Sequence, residues 1–248
     1  VKVTDSVILN PPCTAISSGV VEEGEADLNG LKFEVNDYVD IGNPTELMFS
    51  GDMSVSCWIK PNLLTGFQTI IADSDDGSAT GWKLEINFVA GKLSILTNVT
   101  RVLQGSTTLD VTNIYNVIIT RKFNGVSDWD YHMYLNNIAE GATLGNTQTP
   151  AAPAHIAIGR LGSVNAHYFD GLLKGVALFD KVLTSGDRAA ILSEGEHGDV
   201  ATLGISNLQG FYPQNAVGST AISEETVNGN EGTLTNFIFT PSPWVPFV

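Results

Sequence analysis

Apolar and polar residues alternate with a period of two along much of the chain. Clear runs of this kind are residues 53–60 (MSVSCWIK) and 131–135 (YHMYL), and residues 116–122 (NVIITRK) are a further strong strand signal. The period is typical of β-strands, whose successive side chains point to opposite faces of a sheet. Turn-forming Gly, Asn and Asp separate the runs at intervals of about 8–12 residues, which predicts a β-sandwich or a barrel.

Short turn signals join several of these runs. Residues 31–42 (LKFEVNDYVDIG) alternate on both sides of Asn36-Asp37, so this segment is predicted to be a hairpin. Ala90-Gly91 and Asn136-Asn137 predict two further turns, because Gly and Asn tolerate the left-handed backbone conformation that tight turns need.

A single strong helix signal stands out against this background. Residues 172–179 predict a long apolar strand through the core, and a short helix follows near 185–193. Ser185 is predicted to be the N-cap, Asp187 complements the positive start of the helix, and Gly195 ends it. The predicted fold class is therefore all-β with one short helix.

The length is consistent with one domain. A β-sandwich of 248 residues commonly folds as a single unit, and no internal repeat or low-complexity linker divides the chain. We expect a single domain over residues 1–248. Its apolar, proline-broken end, residues 240–248, is predicted to be a docking tail that packs either on the same domain or on another subunit.

The charge balance excludes several classes of partner. The chain has 12 basic and 27 acidic residues, a net charge of −15, and no cluster of Lys or Arg. Nucleic-acid binding is not expected, because phosphate contacts require a basic surface. Membrane insertion is not expected either, since no apolar run approaches the ~20 residues needed to span a bilayer. The acidity is consistent with a solvated surface, with metal cations or with a high-salt setting.

The two cysteines do not make a disulfide framework. Cys57 lies in a predicted strand, where a small buried thiol packs well. Whether it pairs with Cys13 is left open.

Three blocks in a fixed order carry a family resemblance. Residues 31–62 contain a glycine-bounded strand followed by a tryptophan-bearing strand and a proline, residues 115–137 contain two paired strands, and residues 156–192 contain the closing strand and helix. Together they resemble the laminin-G-like, concanavalin-A-like jelly rolls. The resemblance implies a two-sheet antiparallel jelly-roll β-sandwich. Residues 211–237 resemble the segment that ends such domains in proteins of marine tailed phages.

The resemblance leaves the function open, because one fold hosts many functions. The family includes glycan binders, adhesion modules, calcium-binding domains and virion surface proteins, and related glycoside hydrolases share the sandwich. Family members often carry two acidic residues in the strand after a Phe-x-Gly turn. Here those positions are Lys174 and Gly175, so any role of those acids is not carried over.

Catalytic motifs are not evident in the sequence. A sandwich glycosidase needs two carboxylates about 5–9 Å apart, but Glu85 stands alone in its predicted strand. Asp128 and Asp130 have a two-residue spacing but lie in a loop or at a strand start. Motifs for zinc, for a Ser or Cys nucleophile and for a phosphate loop are missing. We therefore expect no enzymatic activity, with a glycoside hydrolase as the third alternative.

An Asp-rich loop is the candidate metal site. Asp73, Asp75 and Asp76 offer three carboxylates in four residues at a predicted sheet rim, and Ca²⁺ prefers such oxygen ligands. Laminin-G-like relatives often hold calcium at this kind of rim, so the resemblance supports Ca²⁺ as the candidate cofactor. The alternative is a solvated Asp/Gly turn without metal.

Aromatic residues that follow loops are the candidate glycan-binding groups. Trp82, Trp129 and Tyr168 are predicted platforms, with Asp128 and Asp130 as polar partners, and each Trp is alternatively a buried loop anchor. Trp58, inside a strand, is instead predicted to pack in the core. Residues 155–169 are predicted to form an exposed rim.

These observations lead to one preferred function and one alternative. The preferred function is a non-catalytic phage virion protein, a capsid decoration or a fibre, at the virion surface. Its predicted partners are capsid or tail proteins and host surface glycans, and a homo-oligomer is left open. The alternative is a secreted or cell-surface, lectin-like carbohydrate-binding module.

Overall fold

A computed structural model gives the structure of the chain, and the description below concerns the residues that it places. These are residues 29–74, 81–87, 91–98, 100–125, 129–143, 155–213, 221–222, 224–226, 228–237 and 244–246.

Short β-strands dominate this part of the chain. The strands are β1 (Asn29–Phe33), β2 (Tyr38–Gly42), β3 (Met53–Pro61), β4 (Gln68–Asp73), β5 (Trp82–Asn87), β6 (Lys92–Thr97), β7 (Thr100–Thr108), β8 (Tyr115–Phe123), β9 (Trp129–Leu135), β10 (Ile138–Glu140), β11 (Ala142–Thr143), β12 (Ile156–Ile158), β13 (Gly171–Phe179), β14 (Leu208–Tyr212), β15 (Ala221–Ile222), β16 (Gly232–Thr235) and β17 (Trp244–Pro246). The helix is α1 (Ser185–Glu194), and two 3-10 turns cover Thr45–Leu47 and Val200–Leu203.

The strands form two antiparallel sheets. Sheet A has the order β10-β9-β8-β3-β13-β1-β17, and β14 also pairs with β13. Sheet B has the order β11-β7-β6-β5-β4-β12-β2-β16-β15. Non-consecutive strands are neighbours in both sheets, as in a jelly roll. The prediction of an all-β, two-sheet antiparallel sandwich with one short helix is confirmed.

The main core lies between the two sheets. In β3, the alternating residues Val55, Cys57 and Ile59 face this core and are almost completely buried. Burying a side chain of this size contributes about 1.5–3 kcal/mol. Trp58 points to the opposite face of sheet A, where it packs with Leu172 and is also buried, as predicted for a strand tryptophan.

The described cysteine is a free thiol. Cys57 is buried and unpaired with another cysteine, and burial raises the pKa of its thiol to about 12. Cys13 lies outside the described residues.

The helix covers the outer face of sheet A. Ile191 of α1 packs with Phe179 and Phe211 in a second hydrophobic cluster on that face. The helix starts at Ser185, as predicted, but Thr184 rather than Ser185 is the N-cap: its hydroxyl accepts the backbone N–H of Asp187 at 3.2 Å. Asp187 in turn accepts the N–H of Thr184, which completes a capping box.

The turn at Asn36-Asp37 does not form the predicted hairpin. The N–H of Asp37 donates to the carbonyl of Glu34 at 3.1 Å, so the turn exists, but β1 belongs to sheet A and β2 to sheet B. Asn36 has a positive φ of 75° at the third turn position, as a type II turn requires. Type II turns splay the two strands instead of pairing them, and here the chain crosses between the sheets.

Of the other two predicted turns, the one at Asn136-Asn137 is confirmed, and Ala90 of the second lies outside the described residues. Asn136 and Asn137 have positive φ values of 49° and 63° between β9 and β10, which pair antiparallel. β5 and β6 also pair antiparallel, with Gly91 at φ 56° directly before β6.

The described part of the predicted docking tail lies on the chain's own sheet. The backbone of β17 pairs antiparallel with β1, with Asn29 opposite Pro246. The docking role of residues 240–248 stays a prediction. No helix in the described ranges is long and apolar enough to cross a membrane.

A buried carboxylate joins the β7 edge of sheet B to the β10 edge of sheet A. Glu140 accepts hydrogen bonds from the backbone N–H and hydroxyl groups of Ser106 and Thr107, at 2.6–2.8 Å. Burial alone would raise the pKa of Glu140, but these hydrogen bonds outweigh it and hold the pKa below its ordinary value. The carboxylate therefore stabilises the folded state in its charged form.

We expect Glu140→Gln to lower the free energy of unfolding by about 2 kcal/mol at pH 7, because an amide cannot accept all of these hydrogen bonds. The pKa of Glu140 is lower in the folded state than its ordinary value of 4.5. The ionised carboxylate therefore contributes its full stabilisation of the folded state above about pH 4.5. This stabilisation is lost as the pH falls through the lowered folded-state pKa. Urea unfolding at pH 7 and pH 3 measures this, and exposed Glu231→Gln should change stability by less than ~0.5 kcal/mol. An equal loss at both pH values would contradict the prediction.

Candidate functional site

An open cleft of about 630 Å³ lies where three segments meet at one end of the sandwich. The segments are the β1–β2 turn, the loop between β12 and β13, and the end of β16. The residues that line it are Val35, Asn36, Tyr38, Asn165, Tyr168, Thr235 and Asn236. We call this site the tyrosine cleft. Its volume is within the range of small-ligand sites, about 300–1,000 Å³.

Two asparagines shape one side of the tyrosine cleft. Asn36 and Asn236 both have positive φ, a conformation that Asn tolerates better than most residues. The side-chain amide of Asn236 donates to the backbone carbonyl of Asn36 at 2.7 Å, so β16 holds the β1–β2 turn. The carboxylate of Asp37 accepts the N–H of Glu34 at 2.8 Å within the turn. Burial raises the pKa of Asp37.

The β12–β13 loop forms the opposite side and is held by its own backbone. Gly159 has a φ of 80°, and a Cβ there would overlap the ring of Phe33. Only glycine therefore fits between this loop and β1. Phe169 donates its N–H to the carbonyl of Gly159 at 2.9 Å, which closes the loop.

Two tyrosine rings form the aromatic part of the cleft. The centroids of Tyr38 and Tyr168 lie 6.4 Å apart, with the ring planes tilted by 44°. Both side chains are partly exposed. Neither hydroxyl makes a hydrogen bond within the described residues. Tyrosine combines an apolar ring with a polar tip, and such rings are common in binding sites that are partly wet.

Arg160 supports both walls from behind. It is only 4% exposed, and its guanidinium lies 3.6 Å from the ring centroid of Tyr38. Its Nη1 donates to Oδ1 of Asn165 at 3.0 Å. Its Nη2 lies 3.9 Å from Oδ2 of Asp40, whose Oδ1 is 2.9 Å from Nε2 of His155. This network fixes Tyr38 relative to Asn165 and compensates part of the cost of burying the cation, although Nε of Arg160 makes no hydrogen bond within the described residues.

A second aromatic pair lies beside the cleft. Phe67 and His167 stack with centroids 5.3 Å apart and an interplanar angle of 26°. Phe67 is 43% exposed. The backbone carbonyl of His167 accepts the N–H of Thr69 at 2.7 Å, and burial lowers the pKa of the imidazole. The aromatic surface therefore extends from the cleft toward β4.

Of the predicted glycan-binding aromatics, the structure places only Tyr168 at the cleft. Of the predicted exposed rim, residues 155–169, Asn165 and Tyr168 line the cleft, whereas residues 156–162 and 169 are buried. Trp82 and Trp129 are 2% and 5% exposed, so the prediction that they are exposed platforms is wrong. Each indole belongs to the core between the sheets. The ring of Trp129 lies 5.0 Å from the guanidinium carbon of Arg121.

Trp129 is also at the wrong end of the sandwich to join Tyr168. It begins β9, next to the β8 residues that pair with Met53 at the start of β3. Tyr168 precedes β13, whose first residue, Gly171, pairs with Pro61 at the end of β3. A strand of this length separates the two positions by roughly 25–30 Å.

Neither of the two predicted polar partners, Asp128 and Asp130, is among the described residues that line the cleft. Asp130 is partly buried next to Trp129 and lies opposite Lys122 in the β8–β9 pair. Asp128 lies outside the described residues. The predicted glycan-binding residues therefore do not form one site. Tyr168 lies at the cleft, whereas Trp129 and Asp130 lie at the opposite end of the sandwich.

Glu85 is the carboxylate to consider for the enzymatic alternative. It lies on the outward face of β5, is 1% exposed, and its Oε2 is 3.0 Å from Nζ of Lys83. Its direct cross-strand partners are Thr69 and Ser94. A second carboxylate therefore does not face it on either neighbouring strand, although a glycosidase pair requires one. Lys174, where family members often have an acid, is buried with its Nζ 3.1 Å from Nδ1 of His197.

The calcium prediction concerns residues at the edge of the described ranges. Asp73 is fully buried at the end of β4, and its Oδ1 accepts the backbone N–H of His155 at 3.2 Å. This burial disfavours Asp73 as a ligand for an ion at the loop surface. Asp75 and Asp76 lie outside the described residues. Among the described residues, no three His, Cys, Asp or Glu side chains cluster as metal ligands, and calcium binding stays a prediction.

Most of the cleft residues are not evident from the sequence alone. Tyr38, Arg160 and the three asparagines come from segments far apart in the sequence. One signal was available: Arg160 and Asn165 lie inside the rim predicted at 155–169, and Arg160 is one of only 12 basic residues. A buried arginine in such a segment needs an acidic or an aromatic partner. In the structure these partners are Asp40 and Tyr38 of β2.

Several solved structures share this architecture. A candidate carbohydrate-binding protein from Bacteroides ovatus matches with a TM-score of 0.60 and 16% identity, over 84% of this chain and 58% of that chain. The heptameric SAP-like pentraxin from Limulus polyphemus matches with a TM-score of 0.54 and 14% identity, over 68% and 84% of the two chains. The CBM40 of the Ruminococcus gnavus IT-sialidase, solved with α2,3-sialyllactose, matches with a TM-score of 0.50 and 12% identity, over 67% and 98%.

These similarities establish the fold and not the ligand, because the identities are low. The chain spans less than two thirds of the Bacteroides protein. No curated protein sequence matches the chain. A family model, described as the concanavalin A-like lectin/glucanases superfamily (Laminin_G_3), matches residues 33–187. Since this match covers more than half of the chain, the protein belongs to the concanavalin A-like lectin/glucanase superfamily.

Proposed function

We propose that the protein is a non-catalytic carbohydrate-binding module and that the tyrosine cleft binds the glycan. One observation carries the proposal: two partly exposed tyrosine rings and three asparagine amides line a cleft of suitable size. The rings offer apolar faces to the C–H surface of a sugar. The amides offer donors and acceptors to the hydroxyl groups of the sugar, although one N–H of Asn236 and one lone pair on Oδ1 of Asn165 are already used within the protein.

The cleft is also pre-organised, which favours binding because little freedom is lost when a ligand arrives. Arg160 links Tyr38 to Asn165, and the amide of Asn236 holds the β1–β2 turn. Structural relatives support the proposal, since the Bacteroides structure is described as a candidate carbohydrate-binding protein and the Ruminococcus CBM40 is bound to α2,3-sialyllactose. A secreted or cell-surface location follows from this function, because glycans are accessible there.

A glycan array together with a product assay tests the proposal. We expect the protein to bind at least one class of glycan on the array. We also expect it to release no reducing ends from the bound polysaccharide during prolonged incubation. An array with no binding would refute the carbohydrate-binding function. Reducing ends that disappear in a Glu85→Gln variant would instead support the glycoside hydrolase alternative.

The virion role remains a second candidate on sequence grounds. It rests on residues 211–237, which resemble the closing segment of marine tailed-phage proteins. The relatives described above do not support it, and they favour the carbohydrate-binding module. Copurification of the protein with intact phage particles in stoichiometric amounts would restore it as the preferred function.

A further inference from the structure

The residues that line the tyrosine cleft carry no formal charge. They are one valine, one threonine, two tyrosines and three asparagines. Hydrogen bonds to a ligand must therefore come from hydroxyl and amide groups, which both donate and accept. This composition matches the hydroxyl groups of a neutral sugar, whereas carboxylate or sulfate groups are preferentially bound by Arg or Lys.

The cation behind the cleft is already engaged. Arg160 is 4% exposed, stacks on Tyr38, donates to Asn165 and lies 3.9 Å from Asp40. The remaining donor, Nε, makes no hydrogen bond within the described residues but is buried away from solvent, so a second anion would have to displace one of these partners or open the cleft wall. Arg160 therefore acts as a positioning residue for the cleft walls and is not available to an anionic sugar.

Three acidic residues lie close to one side of the cleft. Glu34 and Asp37 are the first and last residues of the turn that carries Val35 and Asn36. Asp170 lies near enough to Asp37 to help raise its pKa, although burial of Asp37 is the larger cause. Lys32 is paired with Glu34, so it neutralises only part of this charge. The net charge of the chain is −15. The local potential thus lowers the concentration of anions at the cleft.

From the uncharged lining, the engaged Arg160 and the neighbouring acids, we infer that the tyrosine cleft selects uncharged glycan segments. It discriminates against sialylated, uronic-acid and sulfated ones. This inference rests on the proposed carbohydrate-binding function and adds the class of ligand. It also distinguishes this cleft from the Ruminococcus module, which was solved with a sialylated sugar.

Affinity gel electrophoresis with matched probes tests the inference. The gels contain dextran or dextran sulfate, galactan or polygalacturonate, and asialofetuin or fetuin. We expect at least one neutral probe to retard the protein, and its charged counterpart to need at least a tenfold higher concentration for the same retardation. A charged probe that retards the protein equally or more would overturn the inference while leaving carbohydrate binding intact. No retardation by any probe would contradict the proposed function itself.

A charge-insertion variant tests the physical cause. Val35 lines the cleft and is 73% exposed, so Val35→Lys adds a cation there without disturbing the core. We expect the charged member of the retarding pair to bind at least threefold more tightly to this variant, and the gain to disappear at high salt. Ile138→Lys is the matched control, because Ile138 is 68% exposed at the β10 edge of sheet A. An equal gain in both variants, or none in Val35→Lys, would contradict charge exclusion at the cleft.

Discussion

Replacement of Tyr168 by Ala is expected to weaken glycan binding roughly 10- to 30-fold while the protein stays folded. The ring contacts Tyr38 across the cleft and is partly exposed. Its removal therefore takes away a binding surface and little of the core. Truncating an aromatic side chain that anchors a ligand typically costs about 2 kcal/mol, and 1.4 kcal/mol corresponds to a tenfold change. Isothermal titration with a glycan identified on the array measures the effect.

Tyr134 offers a control for this prediction, because it is another partly exposed tyrosine that does not line the cleft. Its ring lies 3.7 Å from the guanidinium carbon of Arg188. Tyr134→Ala should therefore remove one aromatic ring and its side-chain contact while it keeps the wild-type affinity. If it weakens binding as much as Tyr168→Ala, or if Tyr168→Ala binds normally, the cleft is not the binding site. Thermal unfolding of both variants shows whether each remains folded.

Replacement of Arg121 by Met is expected to lower the free energy of unfolding by about 3–5 kcal/mol. Arg121 is fully buried between the sheets, and its guanidinium donates to the backbone carbonyls of Phe49 and Gly51. It also lies over the ring of Trp129. Burial lowers the pKa of Arg121, and nearby Tyr131 and Asp73 oppose that shift.

The large effect follows from what Met cannot replace. Methionine fills part of the volume but donates no hydrogen bond, so the carbonyls lose their donors inside the core. Each orphaned polar group costs about 1–3 kcal/mol, and loss of one member of a buried charge network costs about 3–5 kcal/mol. This is a large fraction of the 5–15 kcal/mol that usually stabilises a domain.

Chemical denaturation of wild type, Arg121→Met and Arg101→Met tests this prediction. Arg101 is exposed and hydrogen-bonds only to Gln104 among the contacts described, so its replacement should change stability by less than ~0.5 kcal/mol. A loss below ~1 kcal/mol in Arg121→Met would mean that the buried network contributes little net stability.

Features set by local chemistry could be predicted from the sequence. Gly195 ends α1, and Asn136 and Asn137 form the turn between β9 and β10. In each case the residues involved determine the backbone conformation by themselves. The two-sheet architecture was predictable only from the three blocks that together resemble a known family, residues 31–62, 115–137 and 156–192. No single segment specifies it.

Features set by distant segments could not be predicted. The turn at Asn36 carries a hairpin signal, yet β1 and β2 join different sheets because their partners, β13 and β12, lie more than 100 residues away. The position of Trp82 after a loop does not reveal which face of β5 it occupies. Its burial becomes evident only when sheet A covers that face.

The cleft belongs to this second group. Tyr38, Arg160 and Asn236 meet only because β2 lies between β12 and β16 in sheet B. Tyr168 was found because an aromatic residue in a predicted rim is conspicuous. Its partner Tyr38 was assigned to a hairpin strand, where an aromatic residue needs no further explanation.

The most direct test of the account is an NMR titration of ¹⁵N-labelled protein with the glycan that the array identifies. The account predicts saturable chemical-shift changes in the side-chain amides of Asn36, Asn165 and Asn236, which line the cleft. Residues on the outward face of β5, around Glu85, should remain unchanged. If the chemical-shift changes cluster around Glu85 and the three cleft amides do not shift, the tyrosine cleft is not the glycan-binding site.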